Sequence, residues 1–169
     1  KASMLREMVW HREQDKLVKG SYGDQCLNGD FRGCGVGCTI HSLNRIQNTR
    51  LNTANHSLYE LHLGIPVALA YLEDGLFEGL PKEQAMTWPE RFLDAVPVGA
   101  DLSIVIPQFL YWLMSEDGVR RCVRPEWTEV LKAIDQVREL LGRLCDRGHV
   151  TNQEWNAAGS AAWSAGSAA

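Results

Sequence analysis

Residues 33–42 of the chain read Gly33-Cys34-Gly35-Val36-Gly37-Cys38-Thr39-Ile40-His41-Ser42. Three glycines, two cysteines and one histidine thus fall within ten positions. From Cys38 onward, Ile40, Leu43 and Ile46 recur at helical spacing, which predicts a helix that begins near Cys38 and ends around position 47. The glycine-rich segment therefore comes immediately before the N-terminus of a helix.

Helical spacing of apolar residues continues on both sides of this stretch. The longest pattern covers residues 125–147, where acidic residues near the start and basic residues near the end suit the helix dipole. Further helices are predicted at 3–19, 57–63, 87–95 and 107–115, and from Pro66 and Pro81. The helix at 107–115 is expected to be wholly buried. The sequence therefore predicts an all-α protein, with residues 1–150 forming a compact single-domain helical bundle.

Residues 20–37 hold six glycines and little apolar periodicity, which predicts a long glycine-rich loop near the N-terminus. A loop of this length inside a compact domain is usually either functional or disordered. The presence of Cys34 and of the aromatic residues Tyr22 and Phe31 argues against disorder. We therefore expect this loop to carry a site.

The position of the glycines favours anion binding. Backbone N–H groups of a glycine-rich turn and of a first helical turn point outward and can hold a negative group. The predicted ligand is a small anionic molecule, either nucleotide-like or bearing a carboxylate. The residues expected to bind it are Gly33, Cys34, Gly35, Gly37 and Thr39, together with His11 and Asp15. His11 and Asp15 are one helical turn apart, so that the carboxylate could orient the imidazole.

A second interpretation is thiol chemistry, because Cys38 lies at the predicted N-terminus of the helix. A helix N-terminus stabilises a thiolate, so that the pKa of Cys38 is predicted to be lowered. His41 follows at i+3 on the same face and would serve as base or as ion-pair partner. Cys38 and His41 are therefore the candidate catalytic pair of a thiol-dependent hydrolase or transferase.

Two further interpretations remain open for this stretch. Cys34, Cys38 and His41 have ligand types suited to zinc, and Cys26 or His11 would complete the four ligands of a structural site in a protein-interaction module. Alternatively, Cys34 and Cys38 are small buried residues, and the glycines allow close packing of the backbone. In the favoured interpretation, small-ligand binding, the site contains no metal and no cofactor.

Composition narrows the classes of function. The chain has 169 residues, is 45% hydrophobic and carries a formal net charge of -4. Binding to nucleic acid or to an anionic membrane is not expected, because both require a basic surplus. The longest apolar run, from Leu102 to Met114, is too short to cross a bilayer.

Location is predicted from the first residues and from the cysteines. Residues 1–20 are charged and amphipathic, which is not typical of a signal peptide. The five cysteines lack the spacing of a disulfide framework and indicate reduced thiols. Together these features predict a cytoplasmic protein.

Residues 151–169 differ in composition from the rest of the chain and form a degenerate four-residue repeat of Ala, Ser, Gly and Trp. Alanine favours a helix, and small residues allow a partner helix to approach closely. The segment is therefore predicted to be a low-complexity tail helix, either frayed or docking as a homo-oligomer.

Several motifs together carry a resemblance to a known family. They are Trp10-His11-Arg12-Glu13-Gln14-Asp15, Gly33-Cys34-x-x-Gly37-Cys38-Thr39-x-His41-Ser42, Leu72-Glu73-Asp74-x-x-Phe77-Glu78-Gly79-Leu80-Pro81, Trp88-Pro89-Glu90-Arg91-Phe92-Leu93 and a Trp-Ser-Ala-Ala-type tail. The chain resembles a family of small uncharacterised bacterial and phage proteins. The resemblance implies no catalytic assignment, and by analogy it implies a role in conflict between phage and host.

Overall fold

The computed structural model of the protein describes residues 1–23 and 30–167, and over these residues the chain is all-α, as predicted. The helices are α1 (Ala2–Glu13), α2 (Gly35–Gln47), α3 (Ser57–Leu63), α4 (Val67–Gly79), α5 (Lys82–Ala95), α6 (Val105–Leu113), α7 (Thr128–Cys145) and α8 (Asn152–Ser167), with a 3₁₀ helix at Val119–Cys122. Within the described ranges there is no β-strand, and one parallel β-bridge joins Leu17 to Gly33. In these ranges no helix is long and apolar enough to cross a membrane.

The chain divides into two compact units. The first unit is Lys1–Ala100 and contains α1 to α5; the second is Asp101–Ala169 and contains α6 to α8. In the first unit α2 contacts α1, α4 and α5, whereas in the second α7 contacts both α6 and α8. The division of the sequence into 1–150 and 151–169 stays a prediction.

Helix α2 begins at Gly35, three residues before the predicted start. Cys34 is its extended N-cap, and the Cys34 Sγ accepts a hydrogen bond from the Gly37 N–H at 3.4 Å. This bond satisfies one of the free amides of the first turn. The helix ends at Gln47, and its C-cap Asn48 has a φ of 53°, in the left-handed region. The first six residues of α2 are all buried, so that its N-terminus lies inside the first unit.

The first predicted helix is shorter than its pattern. The sequence predicts a helix over residues 3–19, but α1 ends at Glu13, and Asp15 has a φ of 53°. The chain then pairs with the end of the glycine-rich loop, where the Val18 N–H donates to the Gly33 carbonyl at 2.9 Å and the Gly33 N–H donates to the Lys16 carbonyl at 3.0 Å. These backbone bonds replace the last helical turn. Part of the predicted loop, residues 24–29, lies outside the described residues.

Two further predictions about helices are wrong. No new helix begins at Thr87, because α5 continues through Pro89, and the Thr87 hydroxyl donates to the Gln84 carbonyl at 3.2 Å instead of capping. Helix α6 is not wholly buried, since none of its residues is, and Trp112 is 50% exposed. Apolar composition predicted burial there, but a two-sided apolar helix needs neighbours on every face.

Residues 152–167 form α8, which packs on α7 within the second unit. Thr151 and Glu154 make reciprocal bonds at its start: the Thr151 N–H donates to Glu154 Oε2 at 2.7 Å, and the Glu154 N–H donates to Thr151 Oγ1 at 3.2 Å. This is a capping box. It anchors the start of the helix against fraying.

Candidate functional site

Three ligand-type side chains meet where the N-terminus of α2 approaches α4. One donor atom each from Cys34, Asp74 and Glu78 lies within 4.8 Å of the others. Cys34 is fixed there because it caps α2, and Asp74 and Glu78 are one turn apart on α4, so that both carboxylates share a face. We call these three residues the thiol–carboxylate cluster.

Neighbouring groups hold the two carboxylates of the cluster. The Tyr22 hydroxyl donates to Asp74 Oδ2 at 2.8 Å, and His56 Nε2 lies 3.3 Å from the same oxygen. The backbone N–H of Gly20 donates to both oxygens of Glu78, at 3.0 and 3.1 Å. The bond to Asp74 raises the pKa of Tyr22 to about 12, because it stabilises the protonated hydroxyl. The carboxylates are therefore oriented by donors that are not themselves permanently charged.

Hydrogen bonding at the cluster is incomplete. Asp74 Oδ1 is buried and has no hydrogen-bond partner among the described residues, and the same is true of Glu73 Oε1. Glu73 is fully buried, and its other oxygen accepts a hydrogen bond from the Tyr59 hydroxyl at 2.9 Å. Burial raises the pKa of Glu73 to about 8. Buried oxygens without partners are costly, so that their presence beside a thiol calls for an explanation.

The electrostatics of Cys34 combine opposing effects. Burial raises the pKa of Cys34 well above its usual range, and the nearby carboxylates of Asp74 and Glu73 raise it further. The Gly37 N–H acts in the opposite direction, because it stabilises the thiolate. Without a positive charge nearby, Cys34 is therefore a neutral thiol next to carboxylates. A bound cation would invert this balance.

The predicted glycine residues serve close packing in the described structure. A Cβ on Gly35 would overlap Glu73 Oε1 and would approach Pro89 Cγ to 2.8 Å. A Cβ on Gly37 would overlap the Tyr22 carbonyl oxygen. Gly33 pairs with Leu17 in the β-bridge. The space beside these glycines is thus filled by the chain itself, and anion binding by Gly33, Cys34, Gly35, Gly37 and Thr39 stays a prediction.

Cys38 has a different environment from the one predicted. Its Sγ donates to the Gly33 carbonyl at 3.3 Å and faces the Lys16 carbonyl at 3.8 Å. The side chain is fully buried, and burial raises the pKa of Cys38 to about 12. The predicted lowering of this pKa is wrong, because desolvation of a buried thiolate outweighs the field of the helix N-terminus.

The predicted partner of Cys38, His41, bonds elsewhere. Nδ1 of His41 lies 2.9 Å from Nε2 of His11, and Nδ1 of His11 lies 2.7 Å from the Glu7 carbonyl oxygen. His11 therefore does not use Asp15, which is exposed and has Arg32 as its ion-pair partner at 3.9 Å. The structure brings together His11 and His41, not His11 and Asp15.

Thr39, another predicted ligand-binding residue, is fully buried and donates to Met8 Sδ at 3.6 Å. Cys26, a suggested zinc ligand, lies outside the described residues. Sequence reasoning missed the roles of Tyr22, His56 and Glu78. The signal that could have found part of this site is the adjacent pair Glu73-Asp74 within the strongly apolar α4, because charged side chains are seldom found among buried apolar ones without a role.

Comparisons with protein-family models, with curated proteins and with solved structures find no match to this chain.

Proposed function

We propose that the first unit binds a divalent cation of the zinc class at the thiol–carboxylate cluster. The observation that carries the proposal is the approach of Cys34, Asp74 and Glu78 donor atoms to within 4.8 Å of one another. Thiolate sulfur, imidazole nitrogen and carboxylate oxygen are the ligands that zinc prefers in proteins. His56 Nε2, 3.3 Å from Asp74 Oδ2, helps to orient that carboxylate.

The local charge supports a cation as the ligand. Among the described residues, no lysine or arginine forms an ion pair with Asp74 or Glu78. The ammonium group of Lys19 donates to the backbone carbonyls of Glu78 and Leu80, not to the carboxylates. A divalent cation would neutralise the two carboxylates, would give Asp74 Oδ1 a partner and would favour the Cys34 thiolate.

The surroundings of the cluster resemble the outer shell of a metal site. Carboxylates that bind metal ions are usually held by further hydrogen bonds, which fix their orientation. The Tyr22 hydroxyl performs this role for Asp74, and the Gly20 N–H performs it for Glu78. The three ligands are therefore pre-oriented, which lowers the entropic cost of binding.

The small anionic ligand expected from the sequence has less support. The Gly37 amide in the first turn of α2 already donates to Cys34 Sγ, and Glu73 Oε1 fills the space beside Gly35. An added anion would also be repelled by Asp74 and Glu78. The cytoplasmic location and the role in phage–host conflict stay predictions; a reducing compartment would keep Cys34 available as a ligand.

The proposal is tested by urea unfolding of the full chain in EDTA and in Zn²⁺, under reducing conditions. At a free concentration of a hundred times its dissociation constant, Zn²⁺ should raise the free energy of unfolding by about 2.7 kcal/mol. Asp74→Asn and Cys34→Ser should lose this increase, whereas Cys122→Ser, at an exposed position, should keep it.

Two results would overturn the proposal. One is an equal response of wild type, Asp74→Asn and Cys34→Ser to Zn²⁺. The other is stabilisation by inorganic phosphate or nucleotides with no response to Zn²⁺, which would favour the anionic ligand instead.

A further inference from the structure

Two hydrogen bonds in series run through His11 of α1 and reach His41 of α2. His11 is fully buried on α1, and its two ring nitrogens face the Glu7 carbonyl oxygen at 2.7 Å and Nδ1 of His41 at 2.9 Å. His41 is partly exposed on α2. Among the described residues, Nε2 of His41 has no hydrogen-bond partner. The chain of bonds therefore ends on a ring nitrogen at the edge of the protein.

The geometry fixes the tautomers of both rings. A carbonyl oxygen can only accept, so Nδ1 of His11 must carry a proton. The pKa of His11 is lowered by burial, so that its ring is neutral at pH 7 and its Nε2 carries a lone pair. Nδ1 of His41 must then donate to that lone pair. Burial also lowers the pKa of His41 to about 4, which leaves its Nε2 with an unprotonated lone pair.

The neighbours of His41 hold its ring in place. Phe31 stacks on it, with ring centroids 3.9 Å apart and an interplanar angle of 10°. The charged groups that face the two histidines are Glu7, Arg45 and Lys16. Arg45 is paired with Glu7 at 2.7 Å, and Lys16 is paired with Asp30. The imidazole plane is therefore fixed, and no unpaired carboxylate among these groups favours its protonation.

We propose that Nε2 of His41 is a nucleophile for activated acyl groups, such as activated esters and carbonates, and that His11 is the residue that positions it. The arrangement follows a general rule for reactive histidines: one nitrogen is held by an acceptor so that the other presents its lone pair to the reactant. The inference is independent of the thiol–carboxylate cluster and needs no metal.

The reaction balances within these residues. The Nε2 lone pair attacks the carbonyl carbon, and the bond between this carbon and the leaving-group oxygen breaks, with the electron pair departing on that oxygen. The Nδ1 proton of His41 passes to Nε2 of His11 across the 2.9 Å hydrogen bond. The products are a neutral N-acylimidazole on His41 and an imidazolium on His11. Burial disfavours this imidazolium, and the Glu7 backbone carbonyl and carboxylate partly offset that cost.

Acylation by diethyl pyrocarbonate, mapped by peptide mass spectrometry on the full chain in EDTA, tests the proposal. An ordinary imidazole with a pKa of about 6.5 is mostly protonated at about pH 5.5, so that N-acetylhistidine should react about tenfold more slowly there than at about pH 7.5. The rate at His41 should change less than twofold over this range. His41→Gln should remove the pH-independent modification.

Variants of His11 separate positioning from a merely structural role. His11→Leu removes the acceptor and should slow acylation of His41 at least tenfold, whereas His11→Gln, whose carbonyl can accept from His41 Nδ1, should restore part of the rate. Nitrogen-15 spectra of the wild type at neutral pH should show His41 protonated at Nδ1 alone. A proton on Nε2 of His41, or a rate at His41 that follows N-acetylhistidine across the pH range, would overturn the proposal.

Discussion

Glu73 in the first unit and Glu154 in the second show two opposite uses of a carboxyl group. Glu73 is fully buried and its pKa is raised to about 8 by desolvation. Glu154 lies at the surface, where bonds from Arg143 and Thr151 lower its pKa to about 2. Glu154 thus stabilises a helix end, whereas burying Glu73 costs folding energy. The proposed cation site is our explanation for this cost, because Glu73 lies beside Cys34 and Asp74 in the first unit.

The largest expected difference between the two units concerns their glycines. Gly35→Ala should destabilise the first unit by up to about 3 kcal/mol, because the new methyl group overlaps Glu73 and Pro89 in a closely packed interior. Gly159→Ala, on α8 with open space around it, should instead stabilise by about 0.5–1 kcal/mol. Urea unfolding of both variants measures these effects. Equal effects would show that the glycines of the two units are not under different constraints.

A smaller loss is expected from Tyr59→Phe. The variant removes the hydroxyl that bonds Glu73 Oε2 and leaves both oxygens of a buried carboxyl without a partner. The free energy of unfolding should fall by about 2 kcal/mol. Tyr71→Phe is the matched control, since Tyr71 is 60% exposed. Removing its hydroxyl should change the free energy of unfolding by no more than about 0.5 kcal/mol. A Tyr59→Phe protein as stable as the control would contradict the conclusion that the Tyr59 hydroxyl stabilises the buried carboxyl of Glu73.

The smallest effect is expected from Glu154→Gln. The folded pKa of Glu154 lies near 2, below its ordinary 4.5, so that its contribution to stability is present above about pH 4.5 and is lost as the pH falls toward 2. Urea midpoints of wild type and Glu154→Gln should therefore differ slightly at neutral pH and converge at acid pH. A difference that grows on acidification would show that the ion pair with Arg143 has no such role.

The fold class could be predicted from the sequence because helical periodicity is a local signal. The pattern of Ile40, Leu43 and Ile46 places α2, and the T-x-x-E motif at Thr151 and Glu154 is itself a readable cap. The end of α1 could not be predicted in this way. It depends on the backbone hydrogen bonds that Gly33 makes with Lys16 and Val18, and Gly33 is far from both in sequence.

The candidate site was only partly predictable for the same reason. The sequence correctly placed Cys34 next to a helix N-terminus. It could not show that burial outweighs the helix field at Cys38, because burial depends on α1, α4 and α5 packing around α2. Nor could it pair His56 or Tyr22 with Asp74, since these contacts join separate segments.

Titration of the full chain with Co²⁺ tests the central claim most directly, because Co²⁺ occupies zinc sites and a bound thiolate gives a charge-transfer absorbance in the near ultraviolet. The absorbance should saturate at one Co²⁺ per chain, should vanish in Cys34→Ser and should persist in Cys38→Ser, since Cys38 Sγ faces only backbone carbonyls. An absorbance of equal strength in Cys34→Ser, or none in the wild type, would contradict the account.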